Sequence, residues 1–180
     1  IGSISKKFKF IHLNGAHVPY IYDKEMNIIN EWDGTYEQST QATLFGAMDY
    51  VEQLRESGAY DNTTIIVMSD HGFNGSLAQS GDATWMRQCA MLLVKGRNEH
   101  HDTMQISQAP ISFEDLQEAY VRLLDGQQSD SVFDWKEGDV RERRFLRYSF
   151  LDDSHMQEYM QTGYASDMDT MILTGREFNR

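Results

Sequence analysis

The sequence predicts an α/β fold: a mostly parallel sheet flanked by helices, with an antiparallel edge near the C-terminus. Three observations carry this expectation. Continuous apolar runs at Thr64–Met68 and Cys89–Val94 read as strands covered on both faces, the pattern of parallel sheets. Two helical patterns, each opened by a capping signal and closed by a glycine, alternate with these runs. Arg143 to Phe150 then alternates as a strand with one exposed face does.

In chain order, Phe8–Leu13 (FKFIHL) is the first strand candidate, and Asn14–Tyr20 (NGAHVPY) is a turn-rich loop after it. His12 lies in or at the end of that strand and reads best as a structural histidine. His17 stands on the loop beside glycine and proline, where structural and functional readings are both open. Residues 21–33 read as irregular. Thr35-x-x-Gln38 forms a capping box, Tyr36, Leu44, Met48, Val51 and Leu54 recur at helical spacing, and Gly58 sits at the expected C′ position. A helix over 35–57 follows, with Glu37, Gln38 and Gln41 as a solvated face. Strand, loop, helix and strand make a βαβ unit, so the first two strands are expected to be parallel.

The chain is organised around Asn62–Gly72 (NTTIIVMSDHG), a strand that ends in an acid, an imidazole and a glycine. In open α/β folds the carboxyl ends of strands are where ligands gather. Asp70 offers carboxylate oxygens and His71 an imidazole nitrogen, a pair suited to Zn²⁺ or Mn²⁺. A plain turn after a strand is the alternative reading of the same tripeptide. Residues 73–87 read as a loop over the sheet edge. Trp85 and Arg87 on it could meet a substrate, and Trp85 serves equally well as a core plug. Cys89–Val94 is the third strand, with Cys89 an inert core thiol. His100 and His101, on the polar stretch 97–110, read as solvent-exposed.

Ser112-x-x-Asp115 opens the second helix, with Phe113, Leu116, Tyr120, Leu123 and Leu124 on one side and Gly126 at its end. Glu114 and Asp115 fall in the first turn, where negative charge suits the helix dipole; this accounts for them without catalysis. Residues 127–142 form an acidic connector. In the strand that follows, Arg144, Leu146, Tyr148 and Phe150 are the more apolar set, and the arginines guard an edge against aggregation. Another short strand is expected near Met171–Thr174. The whole reads as a single domain over 1–180, with 127–180 as a C-terminal subdomain or edge hairpin.

Composition narrows the function classes. A net charge of -12 disfavours nucleic acid and anionic membrane surfaces as partners. One cysteine precludes an internal disulfide, and no apolar run approaches the roughly 20 residues that span a bilayer. The opening IGSISKKFKF runs nearly straight into a strand without an initiator Met, as a piece of a longer protein would.

Two segments together, HLNGAHVPY (12–20) and DNTTIIVMSDHG (61–72), resemble the sulfatase-like branch of the alkaline phosphatase superfamily. That branch includes sulfatases, phosphoglycerol transferases and phosphoethanolamine transferases. The similarity extends over roughly residues 5–126, including APISFEDLQEAYVRLLDG at 109–126. It implies that Asp70 and His71 are metal ligands, and that His17 contacts the transferred phosphoryl or sulfuryl group or the leaving group. It also implies a divalent metal (Zn, Mn or Ca), a sulfate- or phosphate-ester substrate, and a Thr, Ser or formylglycine nucleophile activated by the metal.

The nucleophile and first acidic ligand of such enzymes lie on an N-terminal strand and helix with no counterpart here. No Cys-x-Pro-x-Arg signature occurs, and residues 73–99 contain no further histidine. The chain therefore resembles the C-terminal portion of a catalytic domain, with the N-terminal portion as its partner, and is expected to be inactive alone. By resemblance the parent is membrane-anchored and extracytoplasmic, and this piece soluble. A non-catalytic binding domain of degenerate fold is the alternative, and a flavodoxin-like ligand-binding domain a third.

Overall fold

The computed structural model describes residues 7–72, 89–126, 133–149 and 152–179. In chain order the elements are α1 (Tyr36–Glu56), β1 (Ile65–Met68), β2 (Leu92–Lys95), α2 (Phe113–Asp125), β3 (Arg143–Ser149), β4 (Asp152–Gln161) and β5 (Met171–Asn179). β1 and β2 form a two-stranded sheet, and β3-β4-β5 a three-stranded one, antiparallel throughout. The chain is thus mixed helix and strand, with the antiparallel C-terminal strands the sequence predicts. A mostly parallel sheet is not seen among the described residues. The chain divides into two compact units, Ile1–Val67 with Val94–His100, and Met68–Leu93 with His101–Arg180.

In the first unit, α1 starts as predicted. Gln38 N donates to Thr35 Oγ1 at 3.2 Å and Thr35 N to Gln38 Oε1 at 3.0 Å, so two otherwise orphaned amides are satisfied. After the helix, Gly58 takes the left-handed conformation (φ 70°) that favours glycine. The buried face is Ser39, Ala42 and Val51, narrower than expected, because Met48 is 56% exposed. Small residues on this face admit close neighbours: a Cβ on Gly15 would collide with Thr43 Oγ1.

Phe8–Leu13 is not a strand. No described strand pairs with it, and Phe10 is 79% exposed, so an intrinsically β-prone run stays outside any ladder and the expected βαβ unit is not formed. Ahead of β1, Lys95 Nζ donates to the carbonyls of Tyr60 (2.6 Å) and Thr63 (3.2 Å) and lies 4.2 Å from the Tyr60 ring centre. The strands are shorter and less covered than the apolar runs suggest. Met68, Leu93 and Val94 are each 37% exposed.

In the second unit, α2 begins at Ser112 and ends at Gly126 (φ 77°), as predicted, but its start is a tertiary junction. Asp115 Oδ2 accepts from Ser112 N (2.7 Å) and Arg141 Nη1 (2.6 Å), and Oδ1 from Trp135 Nε1 (3.2 Å). Arg141 also reaches the Pro110 carbonyl at 3.3 Å and stacks its guanidinium 4.6 Å from the Trp135 ring centre. Asp115 therefore does more than face a dipole: it ties the connector after α2 back onto the helix start.

β3 is an edge strand, as expected, but the face turned inward is the other one. Phe145 stacks on Tyr159 (centroids 5.9 Å apart) while Leu146 is 46% exposed. Arg144, on the same set as Leu146, pairs its Nη1 with the buried Glu158 Oε1 at 3.0 Å. β4 is absent from the sequence reading, and β5 runs five residues past the predicted Thr174. At Glu158 the pairing with β5 slips: Gln157 faces Glu177 but Tyr159 faces Leu173, leaving Thr174, Gly175 and Arg176 to bulge opposite it. Gly175 (φ 81°) supplies the turn.

Thr174 Oγ1 donates to Glu158 Oε1 (3.0 Å) and Arg176 Nη1 to Oε2 (3.2 Å). Burial raises the Glu158 pKa, but the hydrogen bonds from Thr174 and Arg144 and the charge of Arg176 outweigh it and hold the carboxyl below its ordinary value. Gln161, 3% exposed, directs Nε2 to the Tyr164 carbonyl (2.7 Å), the Asp167 carbonyl (2.9 Å) and Thr170 Oγ1 (3.1 Å), which organises the link to β5 from inside. Among the described residues no helix is long and apolar enough to cross a membrane.

Candidate functional site

β1 delivers the Asp70–His71 pair. The strand ends at Met68, and the chain bends at Asp70 and His71. This bend turns two consecutive side chains, which a continuing strand would send to opposite faces, toward each other. Asp70 Oδ2 and His71 Nε2 lie 3.8 Å apart, with side chains 89% and 47% exposed. His71 Nδ1 is 2.6 Å from the Gly72 carbonyl. That carbonyl can only accept, so Nδ1 carries the proton and, in the neutral ring, Nε2 keeps the lone pair.

The donor set fits one side of a divalent-cation site. Two donors each about 2.1 Å from a shared ion at the tetrahedral angle stand about 3.4 Å apart, close to the spacing present. An imidazole whose far nitrogen is held by a carbonyl is also the usual arrangement of a metal-ligating histidine. Two ligands do not complete a site. Among the described residues no group of three or more His, Cys, Asp or Glu side chains gathers.

Ser69 is the residue the sequence reading passed over. Its amide donates to the Met91 carbonyl at 3.1 Å, and its Oγ accepts from the Met91 amide at 2.8 Å. Tyr120 Oη, on α2, donates to Met68 Sδ at 3.8 Å. The available signal was a hydroxyl on the first residue past the strand, a side chain that can substitute for a backbone acceptor.

The remaining candidates are placed as follows. His17 belongs to the first unit and Asp70 and His71 to the second. His17 is exposed, and its Nδ1 lies 2.6 Å from the Val18 carbonyl, the same arrangement as His71. His12 is exposed on the stretch that forms no strand. His100 lies on the surface with Nε2 3.5 Å from Asp61 Oδ1. Cys89 Sγ donates to the Ala165 carbonyl at 2.8 Å, and burial pushes its thiol pKa up against the opposing charge of Arg143, which keeps it a poor nucleophile. Trp85 and Arg87 lie outside the described residues. A separate cleft of about 250 Å³ is lined by Gln108, Pro110, Asp139, Thr162, Tyr164 and Asp167 among others. Its acids already bond backbone: Asp139 Oδ2 takes Lys136 N at 2.7 Å, and Asp167 Oδ1 takes Asp169 N at 3.2 Å.

Comparison with protein-family models, curated proteins and solved structures finds no match to this chain.

Proposed function

We propose that this chain is the C-terminal part of a metal-dependent sulfatase-like hydrolase or phosphotransferase acting on sulfate or phosphate esters. In this reading Asp70 and His71 supply two metal ligands, and His17 contacts the transferred group or the leaving group. One observation carries it: a carboxylate oxygen and an imidazole nitrogen 3.8 Å apart at the exit of β1, with the second ring nitrogen already engaged by a carbonyl. The similarity of residues 12–20 and 61–72 to the sulfatase-like branch gives the pair its chemical setting.

Asp70 holds negative charge at the strand exit, and His71 presents a neutral nitrogen beside it. A divalent cation bound there lowers the pKa of a hydroxyl nucleophile and steadies charge on the ester oxygens. His17 contacts the transferred sulfuryl or phosphoryl group or the departing group. The nucleophile and remaining ligands come from an N-terminal part of the same domain. β1 and β2 would then belong to a larger, mostly parallel sheet, in which Phe8–Leu13 finds a strand partner. The parent in this reading is membrane-anchored and extracytoplasmic.

The test is twofold. Mn²⁺ added to this chain should broaden the His71 ring signals selectively in NMR spectra, and Asp70→Asn or His71→Gln should abolish the effect. The complete open reading frame should turn over one of an aryl phosphate, a phosphodiester or an aryl sulfate, with a loss of 10²-fold or more in either variant, the order expected when a metal site is dismantled. Absence of selective broadening, together with no turnover on the whole panel, leaves the non-catalytic binding domain as the surviving reading.

A further inference from the structure

We propose that Ser69 is a positioning residue for the Asp70–His71 pair, acting as a side-chain clasp that ends the β1 ladder one atom set early. In an antiparallel ladder every second facing pair exchanges both amide and carbonyl bonds. Ser69 and Met91 make such an exchange with one substitution. Ser69 N donates to the Met91 carbonyl at 3.1 Å, but the Met91 amide donates to the Ser69 hydroxyl oxygen at 2.8 Å in place of the Ser69 carbonyl.

The Met91 donor is satisfied, so the part-buried strand exit carries no orphaned amide. The Ser69 carbonyl is no longer required in the ladder. The following peptide can then rotate out of the strand direction without loss of a backbone bond. The bend at Asp70 and His71 begins at that peptide. With a residue lacking an acceptor at 69, the Met91 amide must reclaim the backbone carbonyl. This pulls residue 70 back toward strand geometry and sends the Asp70 and His71 side chains to opposite faces. The Tyr120 Oη bond to Met68 Sδ at 3.8 Å ties the residue before the clasp to α2. Two successive residues on the strand side of the rotating peptide, Met68 and Ser69, are therefore held.

The relevance to a metal rests on the proposed function, whereas the clasp itself does not, and the experiment separates them. Amide hydrogen exchange of Met91 and Mn²⁺-induced broadening of His71 are measured in the wild-type chain, Ser69→Ala and Ser69→Thr. The expected result is a Met91 amide that exchanges about 10-fold faster or more in Ser69→Ala. Mn²⁺ affinity should fall about 10-fold in the same variant, with both near wild type in Ser69→Thr, which keeps the oxygen. A general loss of stability would accelerate neighbouring amides of β2 equally and would not be rescued selectively by threonine.

Unchanged Met91 exchange in Ser69→Ala overturns the clasp. Faster Met91 exchange with unchanged Mn²⁺ affinity overturns its positioning role. If Mn²⁺ fails to broaden His71 in the wild type, the positioning of a metal pair by Ser69 is overturned, and Met91 exchange alone still decides the clasp. Should Ser69→Ala not fold, Ser69→Cys, which keeps only a weak acceptor, gives the same contrast with Ser69→Thr.

Discussion

At the start of α1, the Thr35 and Gln38 side chains each accept from the other's backbone amide. At the start of α2 the residue at the same position, Asp115, gathers Ser112, Trp135 and Arg141. The two helices carry the same four-residue signal and put it to different use. In α1 the device is local and exposed, so its worth is that of a helix cap. In α2 the side chain three residues along has been drawn into an ion pair with both partners only 13% exposed. A segment 26 residues downstream thereby closes onto the helix. A capping motif thus marks where a helix begins but does not say whether that beginning is a free end or a joint.

The contrast can be broken most forcefully at the joint. Arg141→Ala leaves the largely buried Asp115 without its cationic partner and should destabilise the second unit by about 3–5 kcal/mol, read from chemical denaturation; Asp115→Ala should cost less, because Arg141 keeps Glu114 at 3.3 Å. The double variant should cost less than the sum of the singles, because the orphaned partner is removed as well. Thr35→Ala should cost only about 1 kcal/mol, the ordinary loss of an N-cap, and should leave the second unit's exchange rates unchanged. Equal effects at the two helix starts would erase the distinction between free end and joint.

A second carboxylate sharpens the comparison through pH. Glu158 has its pKa lowered on folding, so its contribution is fully present above the ordinary carboxylate range. It is lost as the pH falls through the lowered value. Thermal melts should accordingly show a gap between wild type and Glu158→Gln at neutral pH that narrows on the acid side; this is the smallest effect of the three. A gap that widens in acid would reverse the sign.

These elements also show why part of the fold was legible and part was not. α1 and α2 announce themselves by short-range rules, caps and glycines within a few residues, and their limits were readable to within one position. The strands depend on a partner that a local window does not contain. Phe8–Leu13 has strand composition without a ladder, whereas β4, DDSHMQEYMQ, is a central strand whose apolar residues are two methionines and a tyrosine. Among its described side chains the buried ones, Glu158 and Gln161, are polar, so hydrophobic alternation passes over it. They are satisfied from β3, β5 and the link between β4 and β5, which the sequence order does not reveal. The Asp70–His71 pair was readable as chemistry. The hydroxyl clasp at Ser69 was not, because its partner, Met91, lies 22 residues on.

The buried amide of Gln161 bears on how the chain can be altered. Surface connections ordinarily tolerate added residues, and the turn around Gly138 (φ 92°), where a Cβ would meet nothing, is such a place. The stretch 162–170 is not. Three oxygens converge there on one nitrogen, so a tag, a protease site or a grafted epitope inserted between Gln161 and Met171 would scatter the shell that encloses it. An engineer extending this protein should leave that hairpin tip at its native length.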